Sequence, residues 1–220
     1  VSGFASIQDQ QRPIGILAGF LRADKLPHAM VFSGPEGVGK RAAAEALAMA
    51  CNCTGPATTS AGDSMPSGCG RCRPCRKILA GSHPDILSIE ASGQFIRIGQ
   101  IRDLMGVLAM KPYEARLRVV IVPDAQRMNP EAGNALLKVL EEPPERTILI
   151  LTAPGTAELL PTITSRCQQI RFNPLTLESL AGKLSETLDL SPGNARILAA
   201  VAGGSQGRAL RLHRQNWLEK

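Results

Sequence analysis

Two groups of residues in this chain have the types and spacing to do chemistry. The first is Gly34-Pro35-Glu36-Gly37-Val38-Gly39-Lys40-Arg41, which follows a short apolar run and opens an alanine-rich one. The pattern G-x-x-x-x-G-K between a strand and a helix is that of a phosphate loop. Its glycines let backbone N–H groups turn inward around phosphate oxygens, and the helix N-terminus adds partial positive charge. Lys40 would reach the β and γ phosphates. The plainer alternative is a glycine-rich turn with no ligand. The residue after the lysine is normally Ser or Thr, whose hydroxyl helps hold magnesium. Here it is Arg41, and a guanidinium has no lone pair to offer a cation.

The second group is cysteine. Four of the six cysteines crowd between Cys53 and Cys75. Cys69, Cys72 and Cys75 are spaced C-x2-C-x2-C in a Gly- and Arg-rich turn, with Cys51 and Cys53 just upstream. Four thiolates suit a closed tetrahedral zinc site. Cys53 is the expected fourth ligand because it lies nearer the loop, with Cys51 as the alternative. An iron–sulfur cluster is the main competitor. With no histidine and no open position, the site is expected to be structural.

A third position bears on the first. Val119-Val120-Ile121-Val122-Pro123-Asp124 reads as an apolar strand ending in Asp, where phosphate-loop ATPases place a magnesium-associated carboxylate. Hydrolysis also needs a base within reach of water. The next residue is Ala125, which offers none. Arg41 and Ala125 fall on the same chemistry, so useful ATP hydrolysis is not expected. Asp124 could alternatively be a helix N-cap.

These residues need elements to hold them. Apolar spacing predicts helices over residues 8–22, 40–50, 100–110 and 129–141, the last stopped by Pro143-Pro144. Short apolar or β-branched runs predict strands over residues 29–32, 85–90, 118–122, 147–152 and 167–172. Residues 54–67 are rich in Ser, Thr, Gly and Pro and read as a loop. Alternating strands and helices make a parallel sheet with helices on both faces. After Asn173-Pro174 only helices follow, over residues 175–188, 192–201 and 205–217. The fold class is therefore α/β, an αβα sandwich over residues 1–173 carrying a zinc module at 51–76, followed by a small all-helical lid at 174–212.

Bulk composition narrows the class without deciding it. Aromatics are only 3% of the chain, so the core must be aliphatic. A net charge of +6 permits nucleic-acid contact. The basic residues are scattered, though, with little aromatic interleaving for base stacking. No apolar run reaches ~18 residues, and the N-terminus lacks a signal pattern; no membrane association and a cytoplasmic location are expected.

Taken in order, His28-Ala29, the phosphate loop, the cysteine module, Asn134-Ala135-Leu136-Leu137-Lys138-Val139-Leu140-Glu141-Glu142-Pro143-Pro144 and Ser165-Arg166-Cys167 resemble the clamp-loader subunits of bacterial DNA polymerase III, a branch of the AAA+ ATPases. The resemblance covers about residues 4–212, and its eleven-residue run is highly specific. It implies an AAA+ fold with a helical lid, a linker starting over residues 213–220 to a further helical domain, and a role in loading a sliding clamp onto primer–template DNA. Implied partners are gamma/tau and delta subunits. Motor subunits of this family carry the hydroxyl after the lysine, an Asp-Glu pair and a lid arginine that senses nucleotide. This chain has Arg41, Ala125 and, where that arginine is expected, Gly207. It therefore resembles the non-motor stator type, with ATP or ADP held without hydrolysis; a gamma/tau-type motor is the alternative. By the same resemblance Arg166 is an arginine finger acting on a neighbour's ATP, and Thr152 occupies a sensor position. The plainer reading of Arg166 is a surface arginine beside the last strand.

Overall fold

The structure is a computed structural model, and it describes residues 3–55 and 67–217. Most of the loop expected at 54–67 lies outside the described residues. The elements run α1 (Gln11–Ala23), β1 (Ala29–Ser33), α2 (Lys40–Asn52), α3 (Arg73–Leu79), β2 (Ile86–Ser88), α4 (Ile98–Leu108), β3 (Arg118–Val122), α5 (Pro130–Glu141), β4 (Thr147–Ala153), α6 (Pro161–Thr164), β5 (Gln168–Arg171), α7 (Leu177–Leu188), α8 (Pro192–Ala202) and α9 (Gln206–Arg214).

The five strands form one sheet in the order β2-β3-β4-β1-β5, and every pairing is parallel. Strands β1, β3 and β4 are buried along their whole length. That explains their continuous apolar character: a parallel strand covered on both faces has no polar side to alternate with. The alternation survives as a choice between two cores. Met30, Phe32, Val119, Ile121, Ile148 and Ile150 face one core, with α1, α2 and the lid helices. Val31, Val120, Val122, Leu149 and Leu151 face the other, with α4, α5 and α6.

Helix boundaries follow local chemistry. Asn129 caps α5, its side chain accepting from the Ala132 N–H at 3.0 Å, with Pro130 in the first turn. Thr176, Ser191 and Ser205 cap α7, α8 and α9 in the same way.

Several expected boundaries shift. The first helix begins at Gln11, the last ends at Arg214, and the fifth strand is confined to Gln168–Arg171. The turn expected around the cysteines contains a helix, α3, which starts beside Pro74 and carries Cys75. Asp124 does stand at the N-cap of a short 3-10 turn, Ala125–Arg127, in a left-handed conformation, but its side chain makes no capping bond.

The lid is tied to the sheet domain at its hinge. The Gln10 amide is fully buried and bonds both ways to the Asn173 backbone, donating to its carbonyl at 2.8 Å and accepting from its N–H at 3.0 Å. Asp9 accepts from the backbone and hydroxyl of Thr176.

Candidate functional site: a phosphate loop, a thiolate cluster and an exposed arginine

The order of the strands brings the phosphate-site residues together. Strand β1 pairs with β4, and β4 with β3. Their C-terminal ends therefore deliver the loop after Ser33, Thr152 and Asp124 to one crevice, the usual ligand edge of an open parallel sheet. Gly37, Lys40, Arg41, Asp124 and Thr152 line a cavity there of about 290 Å³.

The loop keeps its shape for stated reasons. Gly34, Gly37 and Gly39 all have positive φ. At Gly34 a Cβ would lie 2.5 Å from the Phe172 carbonyl oxygen, so only glycine fits between β1 and the chain leaving β5. Lys40 is only 8% exposed. Its ammonium donates to the carbonyls of Gly34 and Pro35, the latter at 2.7 Å. Burial lowers its pKa, while Asp124, Glu36 and Glu158 pull it back up. To meet a phosphate the ammonium must exchange these carbonyls for phosphate oxygens.

Arg41 turns outward. Its guanidinium pairs with Glu90 at 2.8 Å and with Glu45, one helical turn on, at 3.1 Å. No hydroxyl replaces the missing Ser or Thr at that position. Ala125 is buried. Thr152 is buried too, and its hydroxyl accepts from the Asp124 N–H at 3.2 Å.

The lid touches the loop directly, which the sequence reading did not foresee. The Glu36 carbonyl accepts from the Ser205 hydroxyl at 2.9 Å and from the Gly207 N–H at 3.2 Å. The Glu36 carboxylate pairs with Arg211. Gly207, where a motor would carry its lid arginine, packs on the Glu36 side chain: a Cβ there would lie 2.4 Å from Glu36 Cδ. A Cβ on Gly37 would lie 2.7 Å from the Gly207 nitrogen.

The cysteine sulfurs converge. The Sγ atoms of Cys53, Cys69, Cys72 and Cys75 all lie within 4.8 Å of one another and could hold a metal ion. Cys51 points away into the main core, where burial pushes its pKa up to about 12. A tetrahedral ion with thiolates at ~2.3 Å needs sulfurs ~3.8 Å apart, and Cys53 and Cys72 are 3.9 Å apart. That is far beyond a disulfide bond. Backbone N–H groups point at the sulfurs: Cys69 donates to Cys53 at 3.3 Å, and Cys72 to Cys69 at 3.2 Å. Burial works against the Cys72 thiolate, but backbone donors and the neighbouring thiols bring its pKa down to about 5. Burial and Cys72 push Cys75 up to about 12. Gly55 and Gly68 make the close approach possible, since a Cβ would come 2.6 Å from the Cys69 sulfur and 2.4 Å from Met49 respectively.

Arg166 stands apart from both groups, just after α6. Its guanidinium pairs with Glu141 at 2.8 Å and donates to the Thr162 carbonyl at 3.1 Å, and its side chain stays 38% exposed. Sequence reasoning also missed Asp85, a buried carboxylate. It accepts from the backbone N–H groups of Tyr113, Glu114 and Ala115 and pairs with buried Arg118 at 3.3 Å. Burial would raise its pKa, yet these donors hold it below the ordinary carboxylate value. The only signal for it was a lone charge at the head of an apolar strand.

The parallel sheet, the phosphate loop on β1 and the helical lid above it define an AAA+-type domain that also carries a cluster of four cysteines. In fold it is similar to the RuvB Holliday junction branch migration motor of Thermotoga maritima, with a TM-score of 0.60 at 15% identity, covering 97% of this chain and 63% of that one. A gamma-subunit-related protein of DNA polymerase III from the same organism gives a TM-score of 0.53 at 24% identity, over 86% of this chain and 58% of that one. The family model described as DNA polymerase III, delta subunit, matches residues 9–176, and the chain belongs to that family. Among its relatives are the DNA polymerase III subunits delta' of Pseudomonas aeruginosa, 41% identical over 88% of this chain, and of Bacillus subtilis, 36% identical over 86%. The tau subunit of Escherichia coli is 33% identical over 95% of the chain. The chain spans 58% and 55% of the length of the two delta' relatives, and 32% of that tau subunit. No helix among the described residues is long and apolar enough to cross a membrane.

Proposed function

We propose that this chain works as the delta-prime, or stator, subunit of a bacterial clamp loader. In that role it joins gamma/tau and delta subunits to place a sliding clamp on primer–template DNA during replication. The observation that carries this reading is a phosphate loop that keeps its shape while its hydrolytic groups are gone. Arg41 is tied to Glu90 and Glu45 instead of offering a magnesium ligand. Buried Ala125 stands where a base would be needed. The residues Gly34 to Arg41 would hold ATP or ADP without turning it over, Lys40 exchanging its carbonyl partners for phosphate oxygens.

The catalytic contribution is made in trans. Arg166 is always charged, presents a rigid fork of donors and remains accessible, which suits an arginine finger on a neighbour's ATP. The sheet domain over residues 1–173 and the lid over 174–212 act as one unit that aims it. The four cysteines would hold Zn²⁺ as a structural ion. Their sulfurs fit around one ion, whereas an iron–sulfur cluster holds several metal atoms and spreads its cysteines more widely.

The test is ATP hydrolysis by the loader reconstituted with the full-length subunit. In single-turnover measurements, Arg166→Ala is expected to slow the phase from the adjoining site by on the order of 10³-fold. An unchanged time course would defeat the finger role. The isolated chain is expected to show no turnover; steady hydrolysis would move it to the motor class.

A further inference from the structure

The finger reading leaves one contact unexplained. Glu141 is the last residue of α5, and its carboxylate lies at the negative end of the helix dipole, where it is disfavoured. It meets the Arg166 guanidinium at 2.8 Å. The two side chains are 50% and 38% exposed, and an ion pair that open to water adds little stability. A locally unfavourable charge with so small a return in stability asks for another role.

The geometry points to one: Glu141 is a positioning residue for the Arg166 finger. Three groups of this chain hold the guanidinium. One terminal nitrogen, Nη2, forms an ion pair with Glu141 Oε1 at 2.8 Å. The other, Nη1, donates to the Thr162 carbonyl at 3.1 Å and to the Ser165 hydroxyl at 3.4 Å. Among the described residues, Nε donates to no acceptor. Its N–H is therefore left to give to a phosphate oxygen, a charge-assisted bond that guanidinium makes well. Glu141 and α6 hold the two terminal nitrogens. The anchors sit on helices α5 and α6, which pack against each other, so the guanidinium is held before a phosphate arrives. Removing that hold makes the arginine search its rotamers, and misplacement on the scale of 1 Å costs rate more than binding.

This inference rests on the finger reading, and the test separates the two. Loader complexes are assembled with wild-type subunit, Glu141→Ala, Glu141→Gln, Arg166→Ala and the Glu141→Ala/Arg166→Ala double variant. Complex assembly is checked for each by size exclusion. The readouts are single-turnover ATP hydrolysis and ATP affinity. Glu141→Ala is expected to slow the phase of the adjoining site by roughly 10-fold to 100-fold while ATP affinity stays unchanged. Glu141→Gln keeps the acceptor oxygen and should recover part of the rate. The double variant should be no slower than Arg166→Ala. If Arg166→Ala slows the phase but Glu141→Ala does not, the finger stands and the positioning role fails. If neither slows it, the finger reading itself fails. Faster hydrolysis in Glu141→Ala would show that the carboxylate withholds the arginine, which overturns the proposal. A slowing by Glu141→Ala that persists at full size on top of Arg166→Ala would show an effect that does not act through the arginine, and overturns it equally.

Discussion

Single residues carry much of this molecule's organisation through charge. Asp85 is the clearest case. It is 1% exposed, pairs with Arg118 and collects three backbone donors from the loop leading into β3. Removing its charge strands the buried guanidinium, and breaking such a pair costs about 3–5 kcal/mol. Asp85→Asn should therefore lower the unfolding free energy by that order in urea titrations. The pH dependence has a definite sign. The folded pKa is depressed, so the stabilisation is fully present above the unfolded value of ~3.9 and is lost as pH falls through the folded one. The variant should show a flatter loss of stability below pH ~4; an equally steep loss would mean that other carboxylates govern acid unfolding. Arg41 shows the reverse economy. Two carboxylates hold it at the surface, and its guanidinium has no lone pair to offer a cation.

At the scale of elements, the thiolate cluster depends on α2 and α3 ending and starting in the right places. Cys53 caps the end of α2, Cys72 caps the start of α3, and Cys75 sits inside α3 against Met49 and Ile78. This core is small, so a bound ion would be its main cross-link. The buried Asn52 amide, bonded to Ala48 and to both backbone groups of Leu117, fixes the end of α2 to the start of β3. Protein purified without chelator should contain one zinc per chain. Stripping the metal, or Cys72→Ser, should loosen α3 while the sheet persists. Hydrogen exchange by mass spectrometry reads this directly: protection lost over residues 67–80 and kept over β1, β3 and β4. Uniform loss across the sheet would mean that the ion stabilises the whole domain, and metal-free native protein would remove the zinc reading.

For the whole molecule, the contact between lid and phosphate loop matters most. Glu36 receives two hydrogen bonds through its carbonyl and an ion pair through its carboxylate, all from the start and middle of α9. With Gln10 and Asp9 clamping the hinge, the lid is fastened at both ends. Gly37 sits at the closest point. Its φ is +79°, and a Cβ would come 2.7 Å from the Gly207 nitrogen, a backbone atom that cannot simply swing away. Gly37→Ala should cost about 1–2 kcal/mol from the left-handed conformation alone, a few degrees in Tm for a domain of this size, with increased hydrogen exchange in α9. Hydrogen exchange in α9 unchanged from wild type would show that the lid is not seated on the loop.

The order of the elements was legible in the sequence because the signals are local. Continuous β-branched runs mark doubly covered strands, Asn129-Pro130 and Ser191-Pro192 mark helix starts, and the glycine spacing of the phosphate loop marks its turn. The missing hydrolytic groups were legible for the same reason: Arg41 and Ala125 are absences at fixed offsets from a motif. Helix α3 was not, because seven residues with one cysteine and a proline have too little periodicity to read. What the tertiary structure alone decided are the pairings between distant segments: Arg166 with Glu141, Asp85 with Arg118 and with residues 113–115, and Glu36 with the lid. Each partner looks like an ordinary charged residue in the sequence. Its meaning comes from which opposite charge or orphan backbone group the parallel crossovers and the lid hinge carry to it. Propensity and pattern act over a few residues, while charge pairing and burial act through space, so only the folded chain could fix them.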